Sequence, residues 1–203
     1  MEKVGYYGSS FDPITLGHLW SANAVLQHCR LDEIVFAPAA STRIDKYMHC
    51  TDFQRAEMVR LAIQDNPKFS LSTYELYQAP RHLAEHTYYN LEHYKKMNPD
   101  TEVYYILGAD ILHTLPTWGS HPEKLIAENK FVVMERNQIN MHHVIYNHPM
   151  LRKYNDNFKL IYKGLVNEIS SSYIRDEFMF GQDPRYLMPD SVYNYIKEEK
   201  LYV

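Results

Sequence analysis

The sequence predicts an α/β fold: a single Rossmann-like domain with helices on both faces of a mostly parallel sheet of five to six strands. Short apolar segments alternate with helical segments along most of the chain, which is typical of βαβ units. The 203 residues fit one domain, and no change in composition marks a linker. Hydrophobic residues make up 45% of the chain and charged residues 23%, which is enough apolar material for a buried core.

Strands are predicted where short apolar or aromatic runs end at a glycine, a proline or a polar residue. The first run ends at Gly8, the second stops at Pro38, and the clearest central strand closes at Gly108. Residues 74–77 are predicted to extend the third strand. The predicted strands are 3–7, 33–37, 69–72, 103–107, 131–134 and 158–162.

Helices are predicted between these strands from the spacing of apolar residues and from start and stop signals. Thr51 and Gln54 have the spacing of a capping box, and Pro67 lies beyond the helix that it opens. Residues 137–157, rich in Asn and His, are predicted to be a solvated loop with a short helix rather than a metal site. The predicted helices are 17–29, 52 to about 65, 87–97, 122–129, 171–179 and 191–200.

Composition also disfavours several classes of protein. A net charge of −4 and the lack of a basic stripe argue against binding to nucleic acid. Cys29 and Cys50 are too few for a disulfide scaffold and form no four-ligand zinc pattern, which indicates a reducing compartment. The N-terminus has no signal-peptide pattern, and no run approaches the roughly 20 apolar residues of a membrane helix. We therefore expect a cytoplasmic protein with no membrane partner.

The first candidate binding segment follows the first predicted strand. Ligands of open parallel sheets bind at the carboxyl ends of the strands. Gly8 would let the backbone approach a ligand, and the amides of Ser9 and Ser10 would face phosphate oxygens. His18 lies at the start of a helix, where unpaired N–H groups favour an anion, and it adds charge when protonated. The segment lacks the Gly-Lys-Ser/Thr ending of a Walker A loop.

A second candidate anion site follows the last predicted strand. Ser170 or Ser171 can cap a helix, which places hydroxyl and amide groups at its N-terminus. Arg175 lies one turn beyond Ser171 and Ser172 and can point at the same anion. Either segment alone is typical of an ordinary loop or helix cap. Two such helix starts, far apart in the sequence, together fit a triphosphate.

Motifs along the chain resemble, in order, those of nicotinate mononucleotide adenylyltransferases. Residues 15–18 are similar to the (His/Thr)-x-Gly-His signature of nucleotidyltransferases, and residues 169–175 resemble their Ile-Ser-Ser-x-x-Ile-Arg signature. The strand end at 106–110 and the tryptophan segment at 115–118 narrow the likeness to the nicotinate mononucleotide enzymes. The likeness runs from about Val4 to Val203. Further similar segments are 55–67, 131–136, 185–190, 195–196 and 201–202.

The resemblance implies one nucleotidyltransferase domain, residues 1–203, that transfers the adenylyl group of ATP to nicotinate mononucleotide. The products would be deamido-NAD and pyrophosphate, in NAD biosynthesis. The mononucleotide's phosphate needs no protein base to attack, because its second pKa of about 6 leaves it largely dianionic. Mg²⁺ bound with the ATP phosphates is the implied cofactor. ATP and nicotinate mononucleotide are the implied partners. Whether the chain forms a homo-oligomer stays an open question.

The resemblance also assigns roles to residues, position by position. The implied catalytic residues are His18, Lys46, Arg175 and Thr15. The implied ATP-binding residues are Gly8, Ser9, Ser10, Phe11, His18, Lys46, Gly108, Asp110, Ser171, Ser172 and Arg175. The implied mononucleotide-binding residues are Ser10, Thr87, Trp118 and Arg136. Trp118 would stack on the pyridine ring, and backbone N–H groups near Thr87 and Trp118 would receive its carboxylate.

The chain departs from the family pattern at three places. Thr15 replaces a histidine that is common in the signature, and Asp45 precedes Lys46 where the family often has histidine. Residues 77–86 and 135–137 lack the family's usual motifs, and both lie on the nicotinate side. Two alternatives therefore stay open: a dual-specificity nicotinamide and nicotinate mononucleotide enzyme, or a nucleotide-binding sensor of the same fold without turnover.

Overall fold

A six-stranded sheet forms the centre of the computed structural model, which describes residues 1–42, 46–77, 86–162 and 169–203. Its strands are β1 (Glu2–Ser9), β2 (Glu33–Pro38), β3 (Phe69–Leu71), β4 (Thr101–Gly108), β5 (Lys130–Met134) and β6 (Phe158–Ile161). Their order across the sheet is β3-β2-β1-β4-β5-β6, and every neighbouring pair is parallel. The prediction of an α/β fold is confirmed, with all strands parallel rather than most.

Helices precede or follow each strand. They are α1 (Leu16–Cys29), α2 (Asp52–Ile63), α3 (Tyr74–Tyr77), α4 (His86–Met97), α5 (Ala109–Leu112), α6 (Pro122–Glu128), α7 (Met141–Asn147), α8 (Pro149–Lys153), α9 (Ser171–Met179) and α10 (Asp190–Glu198). The capping box predicted for α2 is confirmed, because Thr51 and Gln54 each accept the other's backbone N–H. Within the described residues, no helix combines the length and the apolar character that crossing a membrane requires.

Alternate residues of the strands pack into two separate apolar layers. In β4, Tyr105 and Leu107 face one layer and Ile106 faces the other, as the two-residue period of a strand requires. Helices α1, α2, α9 and α10 cover the Ile106 side, and α4, α6, α7 and α8 cover the opposite side. Burial on both faces explains why the strands are short continuous apolar runs. The predicted helical layers on both faces are confirmed.

The prediction of an extended segment at residues 74–77 is wrong, because these residues form helix α3. The Tyr74 ring stacks on His93 of α4, with ring centroids 3.5 Å apart. The Glu75 carboxylate is buried and accepts the backbone N–H of Ala40 at 3.0 Å. These tertiary contacts outweigh the strand propensity of the tyrosines, which is a weak and context-dependent preference.

The segment 137–157 is also more ordered than a solvated loop with one short helix. It forms α7 and α8, followed by a 3₁₀ turn at Asn155–Asn157. Met141, Ile145 and Leu151 are buried in the apolar layer beneath these helices. The many polar residues of the segment obscured this pattern, because the apolar residues that reach the core are few.

The sheet topology creates a crevice between β1 and β4. The chain leaves β1 towards β2 on one side and returns on the other side at β4, so the strand order reverses between them. Ligands of such sheets bind outside the carboxyl ends of the strands at this point. The loop after β1 and the start of α5 after β4 border this crevice, which places the two predicted strand-end segments next to each other.

Candidate active site

A cavity of about 360 Å³ opens at this crevice. The loop after β1, the start of α1, the ends of β4 and β5, and the start of α9 all contribute to its wall. The residues predicted from sequence that line it are Ser9, Ser10, Thr15, His18, Lys46, Gly108, Asp110, Arg136, Ser171, Ser172 and Arg175. The two predicted anion-binding helix starts, at α1 and α9, therefore meet at one cavity although they lie far apart in the sequence.

Thr15 caps α1 and fixes the ring of His18. The Thr15 hydroxyl oxygen accepts the backbone N–H of His18 at 3.3 Å, and the Thr15 N–H donates to His18 Nδ1 at 3.1 Å. Because Nδ1 accepts this bond, the proton of the neutral ring lies on Nε2. The Nε2–H group is therefore the hydrogen-bond donor of the His18 ring at the cavity.

His18 is neutral in this environment. Burial, together with the positive charges of Arg136 and Lys46, lowers its pKa from 6.5 to about 3. The Phe11 ring packs edge-on against the imidazole, with centroids 5.1 Å apart, and removes water from that side. His18 thus contributes a hydrogen-bond donor rather than the added charge considered from the sequence. A bound phosphate dianion would raise the pKa, because an opposite charge favours the protonated ring.

The N-terminus of α9 docks onto the loop that follows β1. Arg175 Nη1 donates to the backbone carbonyl of Asp12 at 2.6 Å, and the Ser171 hydroxyl donates to the carbonyl of Pro13 at 2.8 Å. Ser170 rather than Ser171 caps the helix, since its Oγ accepts the N–H of Tyr173 at 3.2 Å. These contacts hold Arg175 at the cavity wall, where its guanidinium still has donors for a ligand.

Arg136 and Asp110 lie next to each other on the wall of the cavity. Their closest nitrogen and oxygen atoms are 3.7 Å apart, and their side chains are 46% and 30% exposed. Asp110 follows β4 and Arg136 follows the neighbouring strand β5, so the register of parallel strands brings them together. An ion pair this exposed adds little stability. Both groups are accessible to a ligand that enters the cavity.

Two residues predicted to bind ATP, Gly8 and Phe11, are not among those that line the cavity. The Phe11 side chain is completely buried and supports the imidazole of His18, so it does not itself face the cavity, and its role in binding the nucleotide stays a prediction. Gly8 packs against the Tyr105 hydroxyl, and a Cβ atom at this position would lie 2.5 Å from that oxygen. Gly8 therefore leaves room for Tyr105 in the sheet, and the approach of its backbone to a ligand stays a prediction.

The predicted nicotinate-side residues are not among those that line this cavity. Thr87 lies in the first turn of α4, and Trp118 follows the 3₁₀ turn Leu115–Thr117. The backbone N–H of Trp118 donates to the carbonyl of Leu115 at 3.2 Å. This N–H is therefore already engaged, and the expectation that N–H groups near Thr87 and Trp118 receive the substrate carboxylate stays a prediction. Asp45 and residues 78–85, where the family motifs are altered, lie outside the described residues.

The indole ring of Trp118 is held in a fixed orientation. Its Nε1–H donates to the Thr114 hydroxyl at 3.0 Å, and its ring packs edge-on against Tyr105, with centroids 6.1 Å apart. The side chain is partly buried in the layer on that side of the sheet. A locked and partly exposed aromatic ring would suit stacking on a planar ligand.

Sequence reasoning missed several residues of the site. Ser21 lies one turn beyond His18 on α1 and also lines the cavity, so helical spacing alone would have found it. Arg55 of α2 is completely buried, and its Nη1 donates to the carbonyl of Ser10 at 2.6 Å. Asp12 is buried as well, and its carboxylate accepts bonds from distant segments. No local pattern identifies such residues, because their partners are far away in the sequence.

Comparison with known proteins agrees with this geometry. Residues 6–177 match the family model described as cytidylyltransferase-like. The nicotinate-nucleotide adenylyltransferase of Bacillus subtilis is 35% identical over 203 residues, which cover 100% of this chain and 99% of that protein. A probable nicotinate-nucleotide adenylyltransferase of Clostridium tetani is 32% identical over 207 residues, covering 100% of both.

A solved structure supports the same relationship. The nicotinic acid mononucleotide adenylyltransferase of Plasmodium falciparum, complexed with NaAD, superposes with a TM-score of 0.78 at 25% sequence identity. The alignment covers 100% of this chain and 98% of that one. A solved structure from Vibrio parahaemolyticus shares the fold, with a TM-score of 0.63 at 19% identity.

Proposed function

The chain belongs to the cytidylyltransferase-like family and, within it, to the nicotinate-nucleotide adenylyltransferases, and from this membership we propose how its residues perform the reaction. The protein transfers the adenylyl group of ATP to nicotinate mononucleotide, which gives deamido-NAD and pyrophosphate in NAD biosynthesis. The observation that carries the proposed mechanism is the convergence of His18, Lys46, Arg136 and Arg175 on one cavity at the carboxyl ends of β1, β4 and β5. The unit that performs it is the single domain of residues 1–203.

The chemical step is an in-line displacement at the α-phosphorus of ATP. A phosphate oxygen of the mononucleotide forms a bond to this phosphorus, and the bond from the phosphorus to the β-phosphate oxygen breaks. Pyrophosphate leaves with the electron pair of that bond. The attacking phosphate is already largely dianionic, so the protein aligns the two substrates and stabilises charge instead of supplying a base.

The residues at the cavity divide these tasks by their chemistry. His18 donates its Nε2–H to an oxygen of the reacting phosphates, with its ring held in place by Thr15. Lys46 and Arg175 stabilise the charge that develops on the leaving pyrophosphate. Arg136 binds the phosphate of the mononucleotide. This phosphate competes with the Asp110 carboxylate for the Arg136 guanidinium.

The remaining assignments follow the elements around the cavity. The ATP phosphates lie along the backbone of Ser9 and Ser10, and the N-terminus of α9 at Ser172 closes over them. The sugar of the nucleotide lies at Gly108 and Asp110. The pyridine ring stacks on the locked indole of Trp118, and its carboxylate binds donors near Thr87.

A divalent metal, Mg²⁺ in this proposal, accompanies ATP. Among the described residues, no three His, Cys, Asp or Glu side chains lie together as a metal site. The Asp110 carboxylate on the cavity wall faces Arg136. A single carboxylate that faces an arginine does not fit a metal held by the protein alone. The ion would therefore be bound by phosphate oxygens and water. It would neutralise phosphate charge when bound.

Isotopically labelled ATP tests the proposed step. With nicotinate mononucleotide as acceptor, a label on the α-phosphate should appear in the dinucleotide product, and a label on the γ-phosphate should appear in pyrophosphate. Transfer of the γ-label to the acceptor, or release of labelled inorganic phosphate, would contradict attack at the α-phosphorus. ATP without an acceptor should release no label, which serves as the control.

A further inference from the structure

The C-terminal tail returns to the loop that borders the active site. The hydroxyl of Tyr202, one residue before the end of the sequence, donates to Asp12 Oδ1 at 2.8 Å. Asp12 is 1% exposed and lies in the loop after β1, three residues before the helix cap Thr15. The match to the family model ends at residue 177, so this contact comes from a part of the chain beyond it.

The backbone of the tail is held in an unfavourable conformation. Tyr202 has a φ of 63° and Lys200 a φ of 52°, and bulky residues rarely adopt this left-handed region. The Tyr202 ring stacks on Phe178, with centroids 6.3 Å apart, and its hydroxyl binds Asp12. These side-chain contacts hold the tail in place.

The carboxylate of Asp12 also binds the segment that follows Lys46. Its Oδ2 accepts the backbone N–H of His49 at 2.8 Å, and its Oδ1 accepts the N–H of Cys50 at 3.3 Å. Lys46, which lines the cavity, lies three residues before His49. The carboxylate therefore joins the C-terminal tail to the end of the segment that carries this lysine.

The Tyr202 hydroxyl is an important donor for this buried carboxylate. A buried carboxylate needs hydrogen-bond donors for both oxygens, and an oxygen left without a good donor is costly. Without the hydroxyl, Oδ1 would keep the long contact to the N–H of Cys50. The phenol remains a donor because burial, followed by the charge of Asp12, raises the pKa of Tyr202 well above its usual value.

We propose that Tyr202 is a positioning residue for adenylyl transfer: its hydroxyl, acting through Asp12, fixes the segment that carries Lys46 at the cavity. This inference rests on the proposed role of Lys46 in stabilising the leaving pyrophosphate. A lysine is a point charge on a flexible stem, so its effect depends on where the backbone holds it. A change at the C-terminus would then alter turnover without any contact to substrate.

Tyr202→Phe tests the proposal, since it keeps the ring and removes only the hydroxyl. We expect kcat to fall on the order of tenfold, the scale of one lost hydrogen bond to a charged group, with KM for nicotinate mononucleotide nearly unchanged. Tyr193→Phe is the matched control, because the Tyr193 ring also stacks on Phe178, with centroids 6.1 Å apart. This control should keep the wild-type kcat. Equal losses in both variants, or none in Tyr202→Phe, would overturn the proposal.

A double-mutant comparison separates this inference from the proposed function. If Tyr202 acts through Lys46, adding Tyr202→Phe to Lys46→Ala should lower kcat much less than it does in the wild type. The full tenfold loss in the Lys46→Ala background would show a merely structural effect and overturn the inference. A wild-type rate for Lys46→Ala alone would instead contradict the role of Lys46 in the proposed function.

Discussion

Thr15 and His18 hold each other through two reciprocal hydrogen bonds. The N–H of Thr15 donates to His18 Nδ1 at 3.1 Å, and the Thr15 hydroxyl oxygen accepts the N–H of His18 at 3.3 Å. The ring therefore cannot rotate without losing part of the helix cap. A threonine at the first signature position supplies this geometry without the histidine that is more common there. The consequence is a preorganised neutral donor aimed into the cavity.

His18→Ala should lower kcat by two to four orders of magnitude, about 3–5 kcal/mol, while the affinity for ATP changes much less. The reason is that the Nε2–H contributes most where charge develops on the phosphates. Steady-state kinetics together with ATP titration of the variant would measure both quantities. Because the ring is neutral, His18→Gln, which keeps an N–H donor, should retain more activity than alanine. A near wild-type kcat for His18→Ala would remove His18 from the mechanism.

The stability of the protein should fall in mildly acidic solution. The pKa of His18 is lowered from 6.5 to about 3 in the folded protein. Between these values the unfolded chain binds a proton that the folded protein does not, so the free energy of unfolding decreases as pH falls from 6.5 towards 3. Urea unfolding at pH 7 and pH 5 would measure the change, and His18→Gln should lose less stability over this range. The same pH dependence in both proteins would contradict the assignment.

Arg175→Ala should reduce kcat strongly, and Arg175→Lys should restore only part of the activity. The planar guanidinium binds the carbonyl of Asp12 and still has donors for the pyrophosphate, whereas an ammonium group is a single point charge. Rates of pyrophosphate release would be compared for the two variants. Full activity of the lysine variant would show that the forked geometry of arginine is not used.

Gly8→Ala should destabilise the fold rather than weaken binding alone. The new methyl group would lie 2.5 Å from the hydroxyl of Tyr105, a buried side chain with little freedom to move. Overpacking of this kind costs about 1–3 kcal/mol in the free energy of unfolding. Adding Tyr105→Phe should recover part of that loss, as measured by urea unfolding. Failure of this rescue would mean that another contact opposes the alanine.

The parts of the fold that follow local periodicity could be predicted from the sequence. The strands are short apolar runs with clear ends, and α2 and α9 begin with recognisable capping residues. Helix α3 could not be predicted, because tertiary contacts of Tyr74 and Glu75 decide its conformation. Helices α7 and α8 were hard to predict for a similar reason, because only a few apolar residues within a polar stretch anchor them to the core.

The residues of the candidate site also differ in whether local sequence patterns or tertiary contacts place them. Ser9 lies at a strand end, His18 in the first turn of α1 and Arg175 one turn into α9, where the chemistry of the residue type and the topology of a parallel sheet agree. Asp12 could not be recognised, since its carboxylate binds Tyr202 at the opposite end of the chain. The engagement of the Trp118 N–H with the carbonyl of Leu115 depends on a local turn that the sequence motif does not reveal.

The central claim is that this chain adenylylates nicotinate mononucleotide at the cavity between β1 and β4. The most direct measurement is pyrophosphate release by the purified protein with ATP and Mg²⁺, with nicotinate and nicotinamide mononucleotides compared side by side. We predict rapid release with the nicotinate form and much slower release with the nicotinamide form. No release with the nicotinate form would contradict the claim, and equal rates would contradict its preference for the carboxylate.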